Sequence, residues 1–259
     1  MKMTPPAEIV LVTGGTGSLG GEMCAALRRA GHTVYFTSRS STKIAELEAR
    51  VNAEPAAGAA IQGIEVDLLA DGYGDVIAAR FQAEGVRPTA LVNNARNLDF
   101  LKVSAGVTAR SDFAGEFAMG VIVPYELALR WTGEYAGSVR NIVNIASVYG
   151  VVVPNRALYD DGYARSPVQY GVVKAAMVHL TKELAVRLAG RGVRVNCISY
   201  GGVKGRAAPE FVERYSALTP QARMLEKDEV AGPLLFLLSP DSRGMTGENL
   251  VYDGGFSLW

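Results

Sequence analysis

The chain has 259 residues, of which 49% are hydrophobic and 20% charged, with 26 basic residues set against 26 acidic ones. That balance fits an ordinary globular protein with one substantial core, and it argues against nucleic-acid or membrane-surface binding by the protein as a whole. Cys24 and Cys197 stand far apart in apolar segments and read as two buried thiols in a reducing, cytoplasmic compartment, with no disulfide framework and no metal site. Residues 1–8 lack the apolar core of a signal peptide, and no apolar run is long enough to span a bilayer.

Residues 9–12 form a short apolar run that ends in Thr13-Gly14-Gly15-Thr16-Gly17-Ser18-Leu19-Gly20, and helical periodicity over 22–30 then stops at Gly31. The predicted order is strand, glycine loop, helix. Gly15, Gly17 and Gly20 satisfy G-x-G-x-x-G, which permits a tight turn and close approach to a pyrophosphate at the helix N-terminus. A ligand-free turn is the plainer alternative. Residues 33–37 read as the second strand, and its end carries Ser38 and Arg39 with no carboxylate. Nothing there repels a 2'-phosphate and a guanidinium can grip one, so NADP is favoured, with NAD possible and a solvent-facing arginine the alternative.

Residues 64–68 predict a third strand, where Asp67 is equally an adenine contact or a helix cap. Residues 89–92 lead into Asn93-Asn94-Ala95, whose asparagines suit a loop that ties strand ends together beneath a cofactor. A long helix over 112–131, a strand over 141–145 and then Ala146-Ser147 follow. After a helix from 168 to about 190 come a strand over 193–199 and an irregular segment, 200–227, with a short helix near 209–216. So long an insert after a strand reads as a substrate lid. A helix over 228–238 and a strand over 249–252 close the chain. Short apolar runs alternating with helices predict an α/β fold: one Rossmann-type domain over 1–259, a doubly wound parallel sheet with helices on both faces.

Tyr170-Gly171-Val172-Val173-Lys174 opens the helix at 168, and an i,i+4 spacing puts Tyr170 and Lys174 on one face. A phenol ordinarily ionises near about 10, and a neighbouring ammonium favours the phenolate, so the pair could run acid/base chemistry. With eleven tyrosines in the chain, one accidental Y-x-x-x-K is the competing reading.

Thr13 to Gly20, Asn93-Asn94-Ala95, Ser147, Tyr170-x-x-x-Lys174 and Tyr200-Gly201-Gly202 occur in the order seen in short-chain dehydrogenases/reductases, and the chain resembles that family over nearly its whole length. The resemblance implies that Ser147 binds a substrate carbonyl, Tyr170 transfers its proton, and Lys174 supports the tyrosine and holds the nicotinamide ribose. It further implies cofactor contacts from Gly14, Gly15, Thr16, Gly17, Ser18, Leu19 and Gly20; from Ser38, Arg39, Asp67, Leu68, Asn94 and Ala95; and from Tyr170, Lys174, Tyr200, Gly201 and Val203. No metal is implied.

Several positions depart from the family pattern. Ser18 stands at a common glycine, giving the T-G-x-x-G-x-x-G spacing of the epimerase-like branch; Gly120 stands at a usual catalytic asparagine, Arg96 at a glycine and Tyr200 at a proline. Ser147 and Tyr170 are 23 positions apart (170 − 147), about ten more than is common. That insert, Ser147-Val148-Tyr149-Gly150-Val151 and the ending Asp253-Gly254-Gly255-Phe256-Ser257-Leu258 are similar to the flagellin modification protein A type of dehydrogenase, which implies an amino- or keto-sugar substrate. The expected activity is hydride exchange between NAD(P)(H) and a hydroxyl/carbonyl pair. A sugar-nucleotide epimerase or dehydratase, or a dinucleotide-binding sensor with impaired catalysis, are the alternatives. Arg96, Lys102, Arg156, Arg165, Lys204 and Arg206, partly offset by Asp99, Asp160 and Asp161, read either as solvated loop charges or as contacts to an anionic sugar, the latter favoured by a long cation at position 96. Surplus apolar positions on the helices at 113–131 and 168–188 predict a homodimer or homotetramer.

Overall fold

The computed structural model describes residues 7–160, 162–205 and 207–259; the expectations placed on residues 1–6, Asp161 and Arg206 lie outside them. Seven parallel strands form one sheet: β1 (Ile9–Val12), β2 (Thr33–Ser38), β3 (Gln62–Glu65), β4 (Ala90–Asn93), β5 (Asn141–Ile145), β6 (Arg194–Tyr200) and β7 (Asn249–Tyr252). Their order, β3-β2-β1-β4-β5-β6-β7, reverses direction between β1 and β4. An open parallel sheet binds its ligand at such a crevice, beyond the carboxyl ends of the strands.

Alternation along the strands separates two cores. Val10, Val12, Val34, Phe36, Val92 and Ile198 face α1 (Ser18–Arg29), α2 (Ser41–Asn52) and α8 (Ala231–Leu238), which contribute Met23, Leu27, Leu47, Leu234 and Leu237. Leu11, Tyr35, Leu91, Ile142 and Val195 face the other way. They meet Phe81 of α3 (Tyr73–Ala83), Leu127 and Trp131 of α5 (Val123–Glu134) and Leu184 of α6 (Val168–Leu188). Cys24 and Cys197 are buried free thiols, and burial pushes both up to about 12, which leaves them neutral.

Three elements differ from expectation. α1 begins at Ser18, four residues before the apolar periodicity, because Gly17 takes the N-cap position. β3 lies at Gln62–Glu65 instead of 64–68; Val66 donates to the Ser38 carbonyl at 2.8 Å, but the chain has already left the ladder at Asp67. The long helix at 112–131 is two α-helices, α4 (Arg110–Phe117) and α5, joined by a π-turn at Ala118–Ile122. Pro124 has no N–H to give the Gly120 carbonyl, so the α-helical ladder cannot run through this point. α7 (Pro209–Ala217) is the short helix expected within the irregular segment.

Candidate active site

A cleft of about 760 Å³ opens at the carboxyl ends of the strands. Its floor is the glycine loop. Gly14 is left-handed at φ 67°, and a Cβ there would meet the Ala95 Cα at 2.7 Å; a Cβ at Gly20 would overlap the Gly14 carbonyl oxygen. Only glycine lets these backbones approach so closely. Asn94 ties the loop down, as the paired asparagines predict, its Nδ2 donating to the Thr13 carbonyl at 3.0 Å and the Gly14 carbonyl at 3.2 Å. The Thr13 hydroxyl accepts from the Asn94 and Ala95 amides, each at 3.0 Å.

Ser18, Leu19 and Gly20, the first turn of α1, line the cleft, and that turn has neither a side-chain cap nor an acidic residue. Its backbone N–H groups therefore suit a pyrophosphate, and the residues present fit a dinucleotide. Gly15 departs from expectation: it is absent from the cleft lining and packs on Phe36, whose Cβ would lie 2.5 Å from an added Cβ. The remaining expected cofactor residues all line the cleft. Ser38 is buried, bonded through its hydroxyl to Thr16 at 2.8 Å and to the Ser40 amide at 3.3 Å, whereas Arg39 is exposed and makes no hydrogen bond or ion pair among the described residues. Asp67 accepts from the Leu69 amide at 3.0 Å, a turn cap, while also lining the cleft. Tyr200 is mostly structural, with its hydroxyl donating to the Val230 carbonyl at 2.6 Å and its ring edge-on to Tyr252.

Ser147, Tyr170 and Lys174 meet in the same cleft. The extended Ser147 caps the turn Val148–Gly150 by accepting from the Tyr149 amide at 3.2 Å. That turn lies hard against α6, since a Cβ at Gly150 would meet the Lys174 carbonyl carbon at 2.7 Å and one at Gly171 the Tyr149 oxygen at 3.1 Å. Two glycines thus hold the turn that Ser147 caps against the stretch of α6 that carries Tyr170 and Lys174. Lys174 is buried and donates to the Ile145 carbonyl at 2.7 Å, with its Nζ 5.8 Å from the Tyr170 ring centroid. Burial pulls its ammonium below the usual lysine range; Tyr170 opposes this, the nearby Arg96 guanidinium adds to it, and Glu116 opposes it. Beneath the pair, Asn93 donates to Asn144 at 2.8 Å and Asn144 to the Thr181 hydroxyl at 2.9 Å, a buried polar chain joining β4, β5 and α6.

Of the cations expected around a substrate, Arg96 and Lys204 line the cleft among the described residues, and Lys102, Arg156 and Arg165 do not. Lys204 is paired with Glu226, and Lys102 lies 3.7 Å from Asp99. Arg96 stacks its guanidinium 4.7 Å from the Tyr170 ring centroid. Sequence reasoning missed Lys43, which lines the cleft in the first turn of α2, four residues beyond Arg39. Ser40, whose hydroxyl accepts from the Lys43 amide at 3.3 Å, was the available N-cap signal. It also missed the aromatic wall of Tyr149, Phe211 and Tyr215; Tyr215 stacks on Phe256 at 4.3 Å and its hydroxyl accepts from the Gly202 amide at 2.6 Å.

A parallel 3-2-1-4-5-6-7 sheet with a glycine-rich phosphate cradle and a Ser-Tyr-Lys cluster defines a dinucleotide-dependent oxidoreductase. The chain belongs to the short-chain dehydrogenase/reductase family, and residues 14–257 match the family model described as Enoyl-(Acyl carrier protein) reductase. It is similar to Post-translational flagellin modification protein A of Campylobacter coli, 36% identical over 118 residues, a match spanning 46% of each chain. Galactitol 2-dehydrogenase (L-tagatose-forming) of Cereibacter sphaeroides is 29% identical over 260 residues, 96% of this chain and 94% of that one. A short-chain dehydrogenase of Leptospira borgpetersenii solved with bound NAD+ superposes with a TM-score of 0.82 at 26% identity, covering 97% of this chain and 93% of its own.

Proposed function

We propose that this enzyme interconverts a hydroxyl and a carbonyl on a polar, sugar-like substrate bearing an anionic group, with NADP(H) preferred over NAD(H). The observation that carries the reading is Arg96, an exposed cleft cation that leaves the anion-binding floor and lies instead over the ring of Tyr170. A phosphate or carboxylate on the substrate gives that guanidinium charge-assisted partners, and the aromatic faces of Tyr149, Phe211 and Tyr215 suit the C–H faces of a sugar ring. The likeness to a galactitol dehydrogenase, and over part of the chain to a flagellin modification protein, supports a sugar-type substrate.

When bound, the nicotinamide supplies or accepts the hydride. Gly14, Gly17 and the first turn of α1 hold the pyrophosphate, and Arg39 with Lys43 the adenosine end. Ser147 donates to the substrate oxygen. Tyr170 gives or takes the proton there, and Lys174 stabilises the charge left on the tyrosine while holding the ribose. Residues 200–227 serve as the lid over one catalytic domain. Exposed apolar residues on α5 and α6, such as Tyr125, Leu129, Val168 and Val172, supply a dimer or tetramer contact, and the enzyme works in the cytoplasm.

The test is NADPH oxidation with a panel of keto-sugars, each supplied neutral and phosphorylated or carboxylated. Arg96→Ala should weaken the anionic substrate by at least about tenfold and barely alter the neutral one. A neutral sugar that is the better substrate, or that loses as much in Arg96→Ala, refutes the anionic assignment.

A further inference from the structure

One buried residue of α4 is a carboxylic acid. Glu116 is 2% exposed, and its Oε2 has no hydrogen-bond partner among the described residues. Burying an ionisable group without a partner costs several kcal/mol, roughly, so an uncompensated one is rare. Here the compensation comes through space. The charges that act on Glu116 are Lys174 and Arg96, the two cations that lie 5.8 Å and 4.7 Å from the Tyr170 ring centroid. α4 packs directly on α6, and Glu116 lies one helical turn before Gly120. Gly120 offers no side chain, and the space a side chain would enter is filled by Val173.

Lys174 is under-served on its own side. A buried ammonium has three protons to place, and the Ile145 carbonyl takes one of them. We propose that Glu116 is a positioning residue for Tyr170 and Lys174: its carboxylate is the buried counter-charge that keeps Lys174 an ammonium against the second cation, Arg96. This rests on the reading of Tyr170 and Lys174 as the proton-transfer pair.

The electrostatic directions agree with the geometry. Burial is the largest influence on both groups, drawing Lys174 down and Glu116 up; Lys174 and Arg96 hold Glu116 back down, while Tyr170 and Glu116 hold Lys174 back up. Of the other titratable groups nearby, Cys197 acts on Lys174 in the same direction as Tyr170 and Glu116, and less than either. Cys197 of β6 is pushed up to about 12, and burial also raises Tyr149, which sits edge-on to Tyr170. Asp112, on the same helix as Glu116, is half-buried, and Asp99, in the turn against α4, is exposed and lies beside Lys102.

The experiment is an NMR titration of the full-length protein labelled with 13C-lysine, with the Lys174 signal assigned by its loss in Lys174→Arg. In Glu116→Gln the Lys174 midpoint should fall by about one pH unit or more, Glu116→Asp should recover part of it, and Arg96→Ala should raise it. The alkaline limb of the kcat profile should move down with the midpoint. Glu116→Leu, which restores apolar packing, gives the same reading if the amide variant fails to fold. An unmoved Lys174 midpoint in either folded variant overturns the proposal, because a merely structural glutamate would change melting temperature and leave the titration alone. A midpoint shifted in the Glu116 variants of a protein that turns over no keto-sugar upholds the counter-charge and rejects the proton-transfer reading.

Discussion

The cofactor preference can be worked from the end of β2. Arg39 is exposed and unpaired among the described residues, Lys43 stands in the first turn of α2, and that first turn holds no acid. The nearest carboxylate in register is Glu65, opposite Ser38 on β3; it is exposed and accepts from the Ser41 amide at 3.2 Å. A charge-assisted hydrogen bond contributes roughly 1.5–3 kcal/mol, and an exposed arginine belongs at the lower end, about 1.5 kcal/mol. An exposed lysine acting as a point charge adds roughly 0.5–1 kcal/mol. Together they give about 2–2.5 kcal/mol, or roughly a 30- to 60-fold preference for NADPH over NADH at about 1.4 kcal/mol per decade. Titrating each nucleotide against protein fluorescence should show Arg39→Ala removing about tenfold of that ratio and the Arg39→Ala/Lys43→Ala pair nearly all of it, with NADH affinity unchanged. The preference should also shrink with added salt, since both cations are exposed. Equal affinity for the two nucleotides in the parent, or an equal loss for both in the variants, refutes the reasoning.

Tyr170→Phe should abolish turnover and leave NADPH affinity nearly intact, because it removes a transferable proton and little surface; comparable activity would reject the tyrosine as the proton donor. Gly120→Ala should lower stability in urea by about 1–2 kcal/mol, the overlap with Val173 Cγ1 outweighing the gain in helix propensity, and Val173→Ala should relieve much of that loss; additive losses in the double variant would contradict the contact. His32 is buried with its Nδ1 accepting from the Glu8 amide at 3.0 Å, and burial holds it below the usual histidine range, with Glu8 opposing. Its folded pKa is the lower one, so its contribution is full above the unfolded value of about 6.5 and is lost as pH falls through the folded value; His32→Gln should flatten that acid-side loss in a melting series, and an unchanged pH profile would count against it. Light scattering at micromolar concentration should give a dimer or tetramer mass.

The strand positions and the phosphate cradle were legible because both are local, whereas the order of the strands came only with the fold. Apolar runs bounded by glycines located all seven strands, with β3 displaced by two residues, and the T-G-G-T-G-S-L-G run placed the loop that the structure folds against Asn94. α2 and α3 escaped, since α2 buries little beyond Leu47 and Val51 and α3 starts from a left-handed Gly72 with no side-chain cap. The π-turn needed Pro124 to be read together with the packing of Gly120 on Val173. Charge was the least legible property. Lys204 with Glu226 and Arg214 with Asp160 pair across 22 and 54 residues, and no spacing rule announces such partners. Gly15 matched the fingerprint as well as its neighbours did, and only the position of Phe36 shows that it packs inward.

Gly120 alone would point to a binding protein that has lost its chemistry, because the side chain usual at that position is missing. The structure changes the weight of that argument. What catalysis requires of the site is a charged lysine beside the tyrosine, and a polar group at position 120 is one way of securing it. This chain fills that space with Val173 and places a buried carboxyl one turn earlier, within the electrostatic reach of both Lys174 and Arg96. With all three ionised, two cations and one anion leave a net positive charge around Tyr170, a field that favours both a developing oxyanion and an anionic substrate. Neutralising Glu116 makes the field more positive at the cost of the lysine proton, whereas neutralising Arg96 does the reverse. The two variants should therefore move the kcat profile in opposite directions along the pH axis, which a site that only binds dinucleotide has no means to show.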